Sequence, residues 1–364
     1  MLKLLHAGDF HLDAPFRSLP PQEARRRRQE QRRALDDLRD LAAAQSVDLA
    51  LLAGDLFDAQ TIYPETAEAL AAALGQFPCP VCISPGNHDP FTDRSPYHTA
   101  PWPDNVHIFR SESVTALPFP ELGVRVYGCA FTSPVREDDP LAGFCAPQDG
   151  LVNLGVFHTQ VGKNNPYAPV DPASLTQSGL AYAALGHVHQ ALPPDLSSPT
   201  PWAYCGCLMG RGFDEVGDKG ACIVTIDGGK VTDWQPVPLA KSRYLLLEVD
   251  VTGCDPHAAL LDALGRDHTE DYCRVTLKGE SAALELDLLT DAVQDRCRAL
   301  ELRDDTVLPL DTWARADETT LTGLFLQEIR QRLQSEADPA AQRRLRLALR
   351  YGLSALEGRE APQP

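Results

Sequence analysis

Short apolar runs alternate with helical stretches and turn-rich loops along the first two thirds of the chain. Leu2–Leu5, Val47–Ala53, Val81–Ser84, Val124–Gly128, Val152–Phe157 and Tyr182–Leu185 are strand-length and several are apolar almost throughout, the pattern of a sheet covered on both faces. Residues 22–45 and 64–76 read as helices, and in the first Leu35, Leu38 and Leu41 fall on one side. Such alternation predicts an α/β architecture. The pattern changes around residues 236–244. Beyond it, Tyr244–Val251 and Tyr272–Leu277 read as strands and 255–266 and 282–296 as helices, a small separate α+β unit. Helix formers dominate 318–357 in two blocks split by Ala337-Asp338-Pro339, and the tail Gly358–Pro364 reads as disordered. The expected domains are therefore 1–240, 241–305, 306–357 as a helical segment, and 358–364 as a tail.

Composition narrows the class. A chain of 364 residues that is 43% hydrophobic can bury a real core. Its mean hydropathy of -0.23, with no long uncharged apolar run, argues against a membrane span. Lys3 and His6 interrupt the apolar N-terminus too early for a signal-peptide core, so the expected location is cytoplasmic. The net charge of -18 argues against tight autonomous DNA binding unless cations or a partner supply the positive field. The ten cysteines read as free buried thiols, including the pairs Cys79/Cys82 and Cys205/Cys207. The basic run Arg25–Arg28, with Arg32 and Arg33, is interleaved with Glu23, Glu30, Asp36 and Asp37, which favours a solvated helix face with intrahelical ion pairs over a phosphate-binding patch that contacts DNA.

Five segments share one design, an apolar strand with polar residues at its carboxyl end. They are Gly8-Asp9-Phe10-His11, Gly54-Asp55-Leu56-Phe57-Asp58, Gly86-Asn87-His88-Asp89, Phe157-His158-Thr159 and Gly186-His187-Val188-His189. Ligands bind at the carboxyl ends of strands in open α/β sheets, so these segments would bring their Asp, Asn and His side chains to one place. That mixture suits Mn, Fe or Zn. In Asp9-Phe10-His11 and His187-Val188-His189, an extended backbone would point both ligands the same way. The glycines before Asp55, Asn87 and His187 would permit the tight turns.

In this order the segments resemble the calcineurin-like metallophosphoesterases. Asp9-Phe10-His11-Leu12-Asp13-Ala14-Pro15-Phe16 and Gly54-Asp55-Leu56-Phe57-Asp58 narrow the likeness to bacterial DNA-repair exonucleases of the SbcD and YhaO group, over residues 1 to about 230. The resemblance implies an α-β-β-α sandwich of two mixed sheets flanked by helices, with a small capping domain and C-terminal helices. It implies two divalent ions, manganese before iron, zinc or magnesium. Asp9, His11 and His189 would hold one; Asn87, His158 and His187 would hold the other; Asp55 would bridge. His88 would be the catalytic acid, oriented by Asp89, with Asp58 behind the ligands. Arg211 stands either as a phosphate contact or in a loop salt bridge with Asp214 or Glu215. Where relatives often have Tyr-Pro-Gly-Ser, this chain has Tyr204-Cys205-Gly206-Cys207, which bears on substrate preference.

The implied activity is hydrolysis of DNA phosphodiesters, of 3'-5' exonuclease or endonuclease type. The chain would be the nuclease component of a repair complex with a coiled-coil ATPase of the SbcC or YhaN kind, docked through the terminal helices. Homodimerisation is implied by the resemblance alone. A phosphatase or cyclic-nucleotide phosphodiesterase on the same site, or a non-catalytic interaction protein, are the alternatives.

Overall fold

The computed structural model describes residues 1–17, 19–59, 62–162, 165–281 and 284–356. The chain forms two compact units, the first Met1–Lys241 and the second beginning at Ser242. The expected tail, 358–364, lies outside the described residues.

The strands of the first unit are β1 (Leu2–Ala7), β2 (Leu49–Leu52), β3 (Val81–Ile83), β4 (Val106–Ile108), β5 (Thr115–Phe119), β6 (Val124–Gly128), β7 (Val152–His158), β8 (Gln160–Val161), β9 (Pro169–Val170), β10 (Tyr182–Gly186), β11 (Trp202–Tyr204), β12 (Gly220–Asp227) and β13 (Lys230–Pro238). Its helices are α1 (Pro21–Ala44), α2 (Pro64–Gly75), α3 (Pro96–Thr99) and α4 (Pro172–Gln177). One sheet runs β13-β12-β1-β2-β3-β4 and the other β11-β10-β7-β6-β5. Both are mixed: β12 is antiparallel to β1 and β13, and β5 to β6, while β1–β4 and β6-β7-β10-β11 are parallel.

The period-two alternation of side chains sorts the strands between layers. Leu5, Ala7, Ala50 and Leu52 pack with Leu35 and Leu38 of α1 and Leu70 and Leu74 of α2. Leu4, Leu49 and Leu51 turn the other way and meet Val126, Leu154, Val156 and Ala184 of the second sheet. Ala183, Leu185 and Phe157 face outward again, against Leu175 of α4. The result is the α-β-β-α sandwich.

Helix α1 starts at a proline, whose missing N–H costs nothing in the first turn. Its basic run makes the expected ion pair Arg26–Glu30, at 3.3 Å. Arg27 corrects the solvated-face reading. It is fully buried, and donates to the Gly210 carbonyl at 2.5 Å and to Glu30 at 2.6 Å.

The second unit alternates β14 (Tyr244–Asp250), α5 (Pro256–Leu264), β15 (Tyr272–Lys278), α6 (Leu286–Val293) and β16 (Ala299–Asp304), giving a three-stranded parallel sheet. Then follow α7 (Leu310–Ala314), α8 (Leu321–Ser335) and α9 (Pro339–Leu356). Leu326 and Ile329 of α8 pack against Leu349 and Leu353 of α9. All ten cysteines are unpaired, eight of them buried. No helix among the described residues is long and apolar enough to cross a membrane.

Candidate metal centre

All five polar segments follow the carboxyl ends of parallel strands: β1, β2 and β3 in one sheet, β7 and β10 in the other. Their donor atoms converge. His11 Nε2 lies 3.1 Å from His189 Nε2, and the latter 3.5 Å from Asp9 Oδ1. Asn87 Oδ1 lies 3.0 Å from His158 Nε2 and 3.2 Å from His187 Nδ1. Asp55 Oδ2 reaches toward both sets, 3.8 Å from His11 Nε2 and 3.3 Å from His158 Nε2. Ligand atoms of Asp9, His11 and His189, and likewise of Asp9, Asp55 and His158, lie within 4.8 Å of one another.

Two of the histidines are fixed from behind. His158 Nδ1 donates to the Ala53 carbonyl at 2.8 Å, so the lone pair sits on Nε2, inside the centre. His189 Nδ1 donates to Glu215 Oε1 at 2.6 Å with the same effect. His11 Nδ1 lies 3.2 Å from Asp58 Oδ1, off the line of a well-formed hydrogen bond. Buried and partly buried imidazole, carboxylate and amide donors brought this close together fit a borderline or hard divalent cation.

Electrostatics follow from this crowding. Burial works against the Asp55 charge, but the facing His158, His11 and His88 hold its carboxyl well below the usual range. Burial works against protonating His158 as well, yet Asp55 pushes it up to about 9. His189 is raised to about 9 because Asp9 and Glu215 outweigh its burial. His187, desolvated and beside His158, falls to about 4. The carboxylates that raise His158 and His189 favour positive charge at those positions, the kind of charge a divalent cation would bring.

The backbone reaches the centre differently from the expected extended geometry. Asp9 (φ 50°), His11 (φ 46°), Asp55 (φ 47°) and His187 (φ 93°) have positive φ. Asp9 and His11 therefore converge through left-handed kinks rather than strand alternation. Such conformations cost about 1–3 kcal/mol each and persist only where surroundings enforce them. Gln31 of α1 is part of that enforcement: its amide donates to the Phe10 and His11 carbonyls, at 3.2 and 3.0 Å. The glycine reading also changes. At Gly86 a Cβ would sit 2.1 Å from Asp55 Oδ1, and at Gly186 2.0 Å from the Ala53 carbonyl oxygen. Close approach, not turn geometry, demands glycine there.

His88 is exposed, with Nδ1 3.1 Å from the Asp58 carbonyl and its backbone N–H donating to Asp55 Oδ1 at 2.9 Å. Asp89 does not orient it. Its carboxylate is fully buried and accepts from Gly86 N (2.8 Å), Phe57 N (3.1 Å) and Tyr97 OH (2.6 Å). Asp89 braces the loop. Arg211 is likewise no free phosphate contact, because it pairs with Glu215 at 2.8 Å and Asp58 at 3.0 Å.

Gln31, Tyr97 and the role of Glu215 behind His189 escaped the sequence reading. A signal existed for Gln31, since it lies on the stripe of α1 shared by Leu35 and Leu38. None existed for Tyr97.

A model of the family described as calcineurin-like phosphoesterase matches residues 2–191. The chain is 30% identical over 306 residues to the uncharacterized metallophosphoesterase YhaO of Bacillus subtilis, covering 78% of this chain and 71% of that protein. It is 26% identical over 272 residues to the DNA double-strand break repair protein Mre11 of Aeropyrum pernix, covering 69% and 64%. To the SbcD component of the nuclease SbcCD of Bacillus subtilis it is 25% identical over 310 residues, covering 73% and 76%.

Proposed function

The chain belongs to the calcineurin-like phosphoesterase family, which uses divalent metals, and from that premise we propose that it hydrolyses DNA phosphodiester bonds with two cations, manganese by preference. The observation that carries this is Asp55, whose carboxylate lies between the His11 and His158 nitrogens. Asp9, His11 and His189 would hold one cation, Asn87, His158 and His187 the other, with Asp55 shared. Bound there, divalent cations supply Lewis acidity, neutralising phosphoryl oxygens and making water more acidic.

The chain's own groups supply the rest. His88 fixes Nδ1 on the Asp58 carbonyl, and the residue is exposed beside the centre. In its protonated form it can give that proton to the departing oxygen. Asp89, through Gly86 and Phe57, keeps the loop rigid under Asn87 and His88.

DNA is favoured as substrate by the likeness to the break-repair protein and the nuclease component. The net charge of -18 makes a partner that supplies DNA affinity reasonable, and a coiled-coil ATPase is that partner. Leu321 and Leu324 of α8 and Leu347 of α9 are 70%, 61% and 47% exposed, an apolar contribution suited to docking. End-labelled linear DNA with manganese, alone and with the ATPase, tests the proposal. Shortened products are expected. Intact DNA under both conditions, with hydrolysis of a small phosphomonoester, contradicts it.

A further inference from the structure

The two halves of the centre are supported in different ways. His158 is fully buried and is held by a backbone carbonyl, that of Ala53. His189 keeps a quarter of its side chain exposed, so packing alone does not fix its ring. Its Nδ1 is held by Glu215 at 2.6 Å, and Glu215 is itself only 5% exposed. His11 Nδ1 has Asp58 Oδ1 beside it at 3.2 Å, without a well-formed hydrogen bond.

One guanidinium joins these two carboxylates. Arg211 Nη1 donates to Asp58 Oδ1 at 3.0 Å, and Nη2 to Glu215 Oε1 at 2.8 Å, with Nε 3.2 Å from the same oxygen. Arg211 Nη2 also lies 3.2 Å from His189 Nδ1, but the shorter contact gives the Nδ1 proton to Glu215. Asp58 follows β2 and Glu215 precedes β12, so the fork ties together two loops distant in sequence. A planar five-donor group suits that task; an ammonium does not.

We propose that Glu215 and Arg211 are positioning residues that set the cation affinity of the Asp9–His11–His189 subsite independently of the Asn87–His158–His187 subsite. This rests on the two-cation reading. Carboxylates that orient metal-binding histidines typically account for about 10–100-fold in affinity.

The test is calorimetric titration of the metal-free full-length protein with manganese, for wild type, Glu215→Gln and Arg211→Lys. Wild type is expected to show two binding steps. Each variant weakens one step by about 10–100-fold and leaves the other unchanged, with an unaltered melting temperature. Arg211→Lys keeps the charge, so its loss reports geometry; its partly exposed site protects the test should Glu215→Gln fold poorly. Wild-type affinity at both steps, tighter binding, or equal weakening of both overturns the inference. A wild-type protein that binds no manganese overturns the two-cation reading instead.

Discussion

His88 and Asp89 are neighbours that work on opposite sides of one loop. The first is exposed beside the centre; the second is buried beneath it. Their substitutions should therefore fail differently. His88→Ala should lower turnover by about 10²–10⁴-fold, the usual worth of a positioned acid, with manganese binding intact by titration. Because His11, Asp58 and His88 also lie close enough to share an ion, lost manganese would make His88 a ligand. Asp89→Ala strips the acceptor from two backbone N–H groups and the Tyr97 hydroxyl. Each dry donor costs about 1–3 kcal/mol, so melting temperature and metal affinity should fall together; a stable variant with lost turnover alone would restore a catalytic role. The placement of every proposed ligand was legible, because donor type and strand-end position appear together in short segments. Supporting groups were not, since Glu215, Tyr97 and Gln31 come from elsewhere in the chain and reveal themselves only by contact.

At the scale of elements, the centre depends on two sheets staying in register with each other. His6 of β1 crosses that interface: its Nε2 donates to the Leu185 carbonyl at 3.1 Å and its Nδ1 accepts from the Tyr182 hydroxyl at 2.9 Å. Burial pushes its pKa down to about 4, against the Leu185 contact and Asp9. The folded state thus refuses a proton that the unfolded chain accepts near 6.5. Its contribution is complete above that pH and is lost as pH falls toward 4, by at most about 3 kcal/mol at 1.4 kcal/mol per tenfold step. Urea unfolding at pH 7 and pH 4.5 should show a smaller acid loss for His6→Gln than for wild type; equal losses would contradict this. Most buried apolar strands were legible from sequence, although β12, equally buried and apolar, was passed over. The half-exposed β13 and β16 and the proline-bearing β5 were not, because their patterns are polar or interrupted. The turn Asp227-Gly228-Gly229-Lys230 between β12 and β13 did carry a hairpin signal.

For the whole molecule, the first unit contains every group of the centre, and the second contains α8 and α9 with their exposed leucines. Deleting residues 318–364 should abolish capture by the ATPase while hydrolysis of a small chromogenic phosphodiester continues; unchanged capture would refute docking through these helices. The sandwich was legible as α/β alternation, and its layer order came with the family resemblance. The measurement that bears most directly on the account is manganese bound per chain at equilibrium, for wild type beside Asp55→Asn. Two ions per wild-type chain, reduced to one or none in Asp55→Asn with the fold intact, is the predicted result. A single ion in wild type, or two retained without the Asp55 charge, would contradict a centre built around a shared carboxylate.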